Sequence, residues 1–344
     1  MRNDKKPGAP TIYDVAREAG VSYSTVSRTL SGYEFVKYST REKVLRAAEK
    51  LGYVPNLQAR SLAGGRSNMI GVLVPTLSNS YVGEILRGID EELSESGYNL
   101  LLYTTHRRHG KETTYAATIT NSGTEGLLLV VPLISATYLA ALREQDFPYV
   151  VIDQVDPSGQ STTVNTTNWQ GAYEATRYLI ELGHRRIGFV SGLAGLNSAA
   201  ERYSAYVAAL TDHGLAVDES LVVDGGFTRR GGFAAALTLL DRPTRPTAIF
   251  AANDLSAFGV IEAARQRGLR VPEDISVIGF DDLPQASLVY PKLTTVRQPL
   301  AEMGRQAAAL LLEQIEHHST EPRQITLATE LVVRDSCSPP PASP

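Results

Sequence analysis

The sequence predicts a small all-α head joined to a larger α/β core of doubly wound parallel sheets. Three observations carry that prediction. Two short helical stripes meet at a glycine near the N-terminus, the charge balance changes sign along the chain, and apolar runs alternate with amphipathic stretches from Met69 onward. A chain of 344 residues has room for more than one core, and 43% apolar with 20% charged residues is ordinary globular composition.

The charge split separates the two parts. Residues 1–66 carry 12 Lys and Arg against 6 Asp and Glu, whereas the other 278 residues carry 21 against 31. A basic head on an acidic body is the asymmetry expected when only the head meets a polyanion. No apolar run reaches the roughly 18 residues that a membrane span needs, and MRNDKKPGAP lacks a signal-peptide core, so the expected location is the cytoplasm. Cys337 is the single cysteine, which excludes a disulfide framework. It lies in SCSPPPASP, read as a disordered tail over 336–344 with a chance surface thiol.

In the head, TIYDVAREAGVSYSTVSRTLSG places Ile12, Val15, Ala16 and Ala19 on one stripe and Val26, Thr29 and Leu30 on another. Thr11 and Ser22 are expected N-caps, and Gly20 is the C-terminal stop of the first helix. Two helices joined at Gly20-Val21 make a helix-turn-helix, with SYSTVSR as its reading surface in a major groove. Ser22, Tyr23, Ser24, Ser27 and Arg28 form its polar side, while Thr25, Val26 and Thr29 pack inward. Arg28 has the donors for two acceptors on a guanine; Tyr23 and Ser24 suit base edges or phosphates. A third helix follows, with a capping box expected at Ser39 and Glu42 and a buried stripe at Val44, Leu45, Ala47, Ala48 and Leu51.

These residues resemble the LacI/GalR family of bacterial transcription regulators. The family's pattern T-x-x-D-V-A-x-x-A-G-V-S-x-x-T-V-S-R is met from Thr11 to Arg28, T-R-x-x-V at Thr40, Arg41 and Val44, and G-Y-x-P-N-x-x-A-x-x-L from Gly52 to Leu62. Ser31 stands where many members have Asn, and Lys37 where Ser or Thr is usual. The resemblance implies that 1–55 is the DNA-binding head, with Thr11 among its contacts, and that 56–66 is a hinge helix. A helix of about nine residues is marginal alone in water, so NLQARSLAG is expected to fold when two copies pair over DNA. Asn56 would cap it, Ala59 allow close approach, Arg60 reach phosphates, and Leu62 wedge into the minor groove and bend the duplex.

From Met69 the runs MIGVLVPTL, NLLLYTT, TEGLLLVVP, PYVVID, HRRIGFVSG, TAIFAAND and ISVIGFDD read as buried parallel strands with helices between them, too many units for one subdomain. Ligands in such sheets sit at the carboxyl ends of strands. The candidates there are Asp153, Ser198, Arg202, Asn253, Asp254 and Asp281, with Asp254 read either as a contact or as a helix cap. Carboxylates, an amide and a guanidinium in a dry cleft suit hydrogen bonds to sugar hydroxyls.

GVLVP, GYNLLL, VPEDISVIGFDD and LTTVRQP extend the resemblance into the family's two-lobed, periplasmic-binding-protein-like core, which closes on a small ligand by a hinge. It implies lobe one at about 67–165 and 297–325 and lobe two at about 166–296 and 326–335. It also implies that Arg202, in R-Y-S-A-Y, matches the R-x-x-G-F arginine, and that Phe227 stacks on the ligand. Asn79-Ser80-Tyr81-Val82 replaces N-P-F-F, which leaves Tyr81 as an aromatic platform. Leu196 replaces the arginine of purine-binding members, so a neutral sugar is expected: pentose, hexose or disaccharide.

The expected partners are a double-stranded palindromic operator, a small-molecule effector and a second copy of the chain; the tail lacks the leucine heptad of tetrameric members. A corepressor-dependent regulator that answers a phosphocarrier protein is the alternative. No cofactor, metal or catalytic residue is expected: GxxxxGK[ST], GxGxxG and HExxH are missing, and Arg107 and Arg108 stand between His106 and His109. An exported solute-binding protein and a sugar enzyme are the remaining rivals.

Overall fold

The computed structural model describes residues 10–30, 33, 35–53, 67–107, 112–133, 136–319 and 321–341. The chain divides into two compact units, Met1–Ser67 and Asn68–Pro344. The segment 56–66, read as a hinge helix, lies outside the described residues.

The first unit holds α1 (Ile12–Ala19), α2 (Tyr23–Leu30) and α3 (Tyr38–Leu51). Thr11 and Asp14 form a reciprocal capping box at the start of α1. Gly20 ends that helix at φ 64°, a left-handed conformation that a side chain resists. Ser22 Oγ then accepts from the Thr25 amide at 3.2 Å, so the second helix starts at Tyr23, three residues after the stop. Val15, Ala16, Val26, Val44, Ala47 and Ala48 close the core between the three helices. The expected capping box at Ser39 is not formed. α3 starts two residues earlier than that box requires, with Lys37 at the N-cap and no side-chain bond to the helix amides, because lysine carries no acceptor.

The second unit is two-lobed. Lobe one contains β1 (Met69–Val74), α4 (Ser80–Glu95), β2 (Asn99–Thr104), α5 (Glu112–Thr120), β3 (Gly126–Val130), α6 (Ala136–Glu144), β4 (Tyr149–Ile152) and β5 (Thr162–Thr166). Lobe two contains α7 (Asn168–Glu181), β6 (Ile187–Ser191), α8 (Asn197–Asp212), β7 (Val222–Asp224), α9 (Arg229–Leu240), β8 (Ala248–Ala251), α10 (Asp254–Gln266) and β9 (Ser276–Ile278). β10 (Thr295–Arg297), α11 (Leu300–His317), β11 (Gln324–Leu327) and β12 (Glu330–Val332) follow. The sheet orders are β11-β5-β4-β3-β1-β2 and β7-β6-β8-β9, and every pairing within these two sheets is parallel. β3 and β4 are buried throughout, as helix-covered parallel strands must be, whereas the edge strand β2 is not. α4 and α11 touch at Gly88, where a Cβ would stand 1.8 Å from the Ala301 carbonyl oxygen.

The chain crosses between lobes after β5, after β10 and after β11. The crossings are knotted by hydrogen bonds: Thr166 Oγ1 donates to Gln298 Oε1 at 2.7 Å, and the Thr329 amide donates to Thr167 Oγ1 at 2.9 Å. β11 pairs with β5 up to Leu327 opposite Thr166, so the last crossing falls at 328–329 rather than at 325–326.

The expected tail over 336–344 is wrong for Ser336–Pro341. Ser336 is fully buried; its hydroxyl donates to the Val277 carbonyl and accepts from the Thr294 amide at 2.8 Å. The Ser338 carbonyl oxygen lies 2.9 Å from His184 Nε2 and accepts from the Ser276 hydroxyl at 3.0 Å. Cys337 is partly buried rather than a free surface residue: its thiol donates to the Val277 carbonyl at 3.3 Å and is pushed up to about 12 by burial. A Ser- and Pro-rich composition resembles disorder, but here the Val277 carbonyl, the Thr294 amide and the side chains of Ser276 and His184 supply the partners. Removing residues 336–344 is therefore expected to lower the core's unfolding free energy by about 2 kcal/mol or more in urea denaturation, at roughly 1 kcal/mol per lost buried bond. An unchanged midpoint would mean that the segment adds nothing.

Candidate functional site

In the first unit, Ser22, Tyr23, Ser24 and Arg28 are exposed, Ser27 is partly exposed, and Val26 and Thr29 are buried. The predicted polar side of α2 is therefore an accessible face. Tyr23 stacks on Tyr13 with ring centroids 5.1 Å apart, and the Arg28 guanidinium lies 5.8 Å from the Tyr33 ring centroid. Ser22 is engaged in the turn, its hydroxyl 2.8 Å from both Ser24 Oγ and Thr25 Oγ1. Thr11 donates to Asp14 Oδ2 at 2.7 Å, so its hydroxyl also serves the helix start. Asn56, Ala59, Arg60 and Leu62 lie outside the described residues.

In the second unit, Tyr81, Asp153, Ser198, Arg202, Phe227, Asn253 and Asp281 all line one cleft between the lobes, with about 430 Å³ of empty space that is partly open to solvent. Topology explains the gathering. Asp153 follows β4, Asn253 follows β8 and Asp281 follows β9, each at a carboxyl end; Ser198 and Arg202 lie one turn apart on α8. Arg107, Val131, Asp153, Phe227 and Asp281 line the cleft at φ between 46° and 125°, so backbone strain is concentrated at this wall. The Phe227 ring lies against Gly192, where any Cβ would fall 2.1 Å from Cζ.

Arg202 organises the floor. Its Nε and Nη2 donate to Asn168 Oδ1 at 2.9 and 2.7 Å, and its Nη1 donates to the Ala252 carbonyl at 2.7 Å. Nη1 also lies 3.6 Å from Asp281 Oδ1, and the guanidinium sits 3.7 Å from the Phe280 ring centroid. Asp281 accepts from Gln298 Nε2 at 2.8 Å, and Tyr81 Oη donates to Asp153 Oδ2 at 2.6 Å. Burial pushes the Asp281 carboxyl up to about 7 against the pull of Arg202 and Gln298. Burial raises Asp153 as well, against the same arginine. Two carboxylates, a guanidinium, an amide, hydroxyls and an aromatic ring can hold a small polyhydroxylated molecule through paired hydrogen bonds and one stacked face.

Asp254 does not join them. It is fully buried and accepts from the Leu283 amide at 2.8 Å and from Thr295 Oγ1 at 2.5 Å, while Asn253 caps α10. Sequence reasoning missed Asn168, Phe280 and Gln298. Asn168 stands at a lobe crossing and Phe280 just before Asp281, but only the folded chain shows that both meet Arg202. Among the described residues, no cluster of three or more His, Cys, Asp or Glu is placed to hold a metal, and no helix is long and apolar enough to cross a membrane.

Residues 11–56 match the family described as bacterial regulatory proteins, lacI family, and residues 176–337 match the periplasmic binding protein-like domain. The chain is 36% identical over 327 residues to catabolite control protein A of Priestia megaterium, covering 95% of this chain and 98% of that one. Its fold is similar to the transcriptional regulator CelR-cellobiose complex, with a TM-score of 0.73 at 36% identity over 95% of this chain and 99% of that one. The lac repressor dimer bound to operator and the anti-inducer ONPF gives a TM-score of 0.84 at 29% identity, over 96% and 99% of the chains.

Asp281 binds a proton up to about pH 7 when folded but only to about 3.9 when unfolded, so the folded chain holds more protons between these values. Its contribution to stability is therefore fully present below about pH 4 and fades as pH rises toward 7. His184, lowered by burial, works in the opposite direction below about 6.5, whereas Asp153 and Asp254, raised by burial, fade in the same sense as Asp281, so the difference between protein and variant reports Asp281 together with its coupling to these two carboxyls. Urea denaturation of Asp281→Asn at pH 5 and pH 7.5 is expected to show the variant gaining on the parent as pH rises. A parallel pH dependence for the two would remove Asp281 from this account.

Proposed function

Because this chain belongs to the LacI family of bacterial regulatory proteins and is a DNA-binding transcriptional regulator, we propose that it represses a carbohydrate-utilisation operon until a neutral sugar fills its cleft. The observation that carries the reading is the convergence of seven strand-end and helix residues on that cleft, with hydrogen-bonding groups for hydroxyls and an aromatic ring for a C–H face. Leu196, buried in the cleft wall, offers no donor to a purine. The cellobiose in the CelR complex supports the same ligand class.

In this mechanism two copies present paired reading helices to a pseudo-palindrome, and the similar lac repressor is bound to operator as a dimer. Tyr23, Ser24, Ser27 and Arg28 contact base edges or phosphates, and residues 56–66 order over the minor groove with Leu62 as the wedge. Sugar in the cleft changes the angle between the lobes and separates the paired segments, so that operator binding weakens. A coupling of about 1–3 kcal/mol is enough.

Gel shift on a palindromic operator separates the parts. Arg28→Ala is expected to cost roughly tenfold or more in operator affinity through lost base or phosphate contacts. Leu62→Ala should lose specific binding while weak salt-dependent binding persists. Asp281→Asn keeps the side-chain shape and should bind operator normally yet ignore sugar. A normal sugar response in that variant would refute the cleft assignment. Arg202→Ala is a poorer probe, since it strips Asn168 and the buried carboxylates of their cation and is expected to cost about 3–5 kcal/mol of stability.

A further inference from the structure

We propose that the mouth of the cleft holds a second saccharide subsite built on Trp169, so that the effector is a disaccharide or longer rather than a monosaccharide. The proposal rests on the saccharide reading above and extends it. A polar groove with about 830 Å³ of empty space, partly open to solvent, adjoins the cleft and shares Asp153 and Ser198 with it. A ligand filling the cleft past these two residues enters the groove.

The groove has the chemistry of a sugar platform. Trp169, the second residue of α7, is 41% exposed and stacks on Tyr173 with centroids 5.1 Å apart and planes 19° apart, which fixes the indole plane. Beside it stand the amides of Asn165, Gln170, Asn197 and Gln324 and the hydroxyl of Thr326. Asn197 Nδ2 donates to Glu201 at 2.8 Å and Gln170 Nε2 to Glu174 at 2.7 Å, so these amide planes are held as well. Amides and hydroxyls match ring hydroxyls, and an indole matches the C–H face of a pyranose.

The lining contains no Lys or Arg, and its charged members, Asp153 and Glu201, are acidic. A phosphorylated or otherwise anionic sugar would meet like charge there, so the outer unit is neutral. A more apolar groove lined by Leu139, Val151, Leu196 and Ala200 adjoins this one and shares Val155 and Asn197 with it.

Trp169 is the chain's single tryptophan, so its fluorescence reports this subsite directly. The test is calorimetric and fluorescence titration of the full-length protein with matched pairs: glucose against cellobiose and maltose, galactose against lactose, xylose against xylobiose. One disaccharide is expected to bind about tenfold or more tightly than its monosaccharide, as a stacked ring warrants, and to shift the emission. Trp169→Ala should shrink that preference to about twofold, and Trp169→Phe should restore most of it by calorimetry, since a ring remains. The proposal is overturned, with the saccharide reading intact, if a monosaccharide binds as tightly as its disaccharides, if bound disaccharide leaves the emission unmoved, or if Trp169→Ala keeps the preference. If no saccharide on the panel binds while operator binding persists, the saccharide reading fails and takes this proposal with it.

Discussion

The guanidinium of an arginine that is 2% exposed must find every partner inside the protein, and the placement of Arg202 governs the second unit. Its partners come from elements far apart in sequence: Asn168 at the first crossing, the Ala252 carbonyl after β8, and Asp281 after β9. Asp281 passes the connection to Gln298, and Gln298 to Thr166. The floor of the cleft and two of the strand crossings thus share one hydrogen-bond network. A ligand that bonds to Asp281 or Arg202 competes within that network, so it acts on the segments that set the angle between the lobes.

The same network explains why the cleft is costly to build. Burial raises Asp153 and Asp281 despite the arginine between them, and Asp254 nearby is raised further by burial and by the Asp281 carboxylate. Positive φ at Asp153, Phe227 and Asp281 adds backbone strain at the same wall. The lobes bridge the rim as well, with Gln285 Nε2 donating to Ser80 Oγ at 2.6 Å and the Asn197 amide to Gln154 Oε1 at 3.1 Å. Buried carboxyls and strained backbone are retained here at the expense of the resting fold, a pattern that belongs to binding sites rather than to cores.

Much of this was legible in the sequence because topology does the placing. Once the apolar runs are read as parallel strands, the residues after PYVVI, TAIFAA and ISVIGF must face one end of the sheets, and Asp153, Asn253 and Asp281 do. The reading helix was legible from Thr11, Gly20 and Ser22, since caps and a left-handed glycine are local signals. What escaped depends on contacts that no local pattern records. Asn168 matters only because Arg202 reaches it across the lobe, and Gln298 only because it stands between Asp281 and Thr166. Ser336–Ser338 look like linker composition but are held by the Val277 carbonyl, the Thr294 amide and His184. Ser39 carried a plausible cap signal, yet the helix had already started before it, at Tyr38.

The central claim is that occupancy of the cleft and grip on DNA are one coupled equilibrium. Calorimetric titration of a binding saccharide into the free protein and into the operator-bound protein tests it most directly. The account predicts weaker saccharide binding on the operator, by the same factor, about 5–150, by which saccharide weakens operator binding. Equal saccharide affinity in the two states would contradict it.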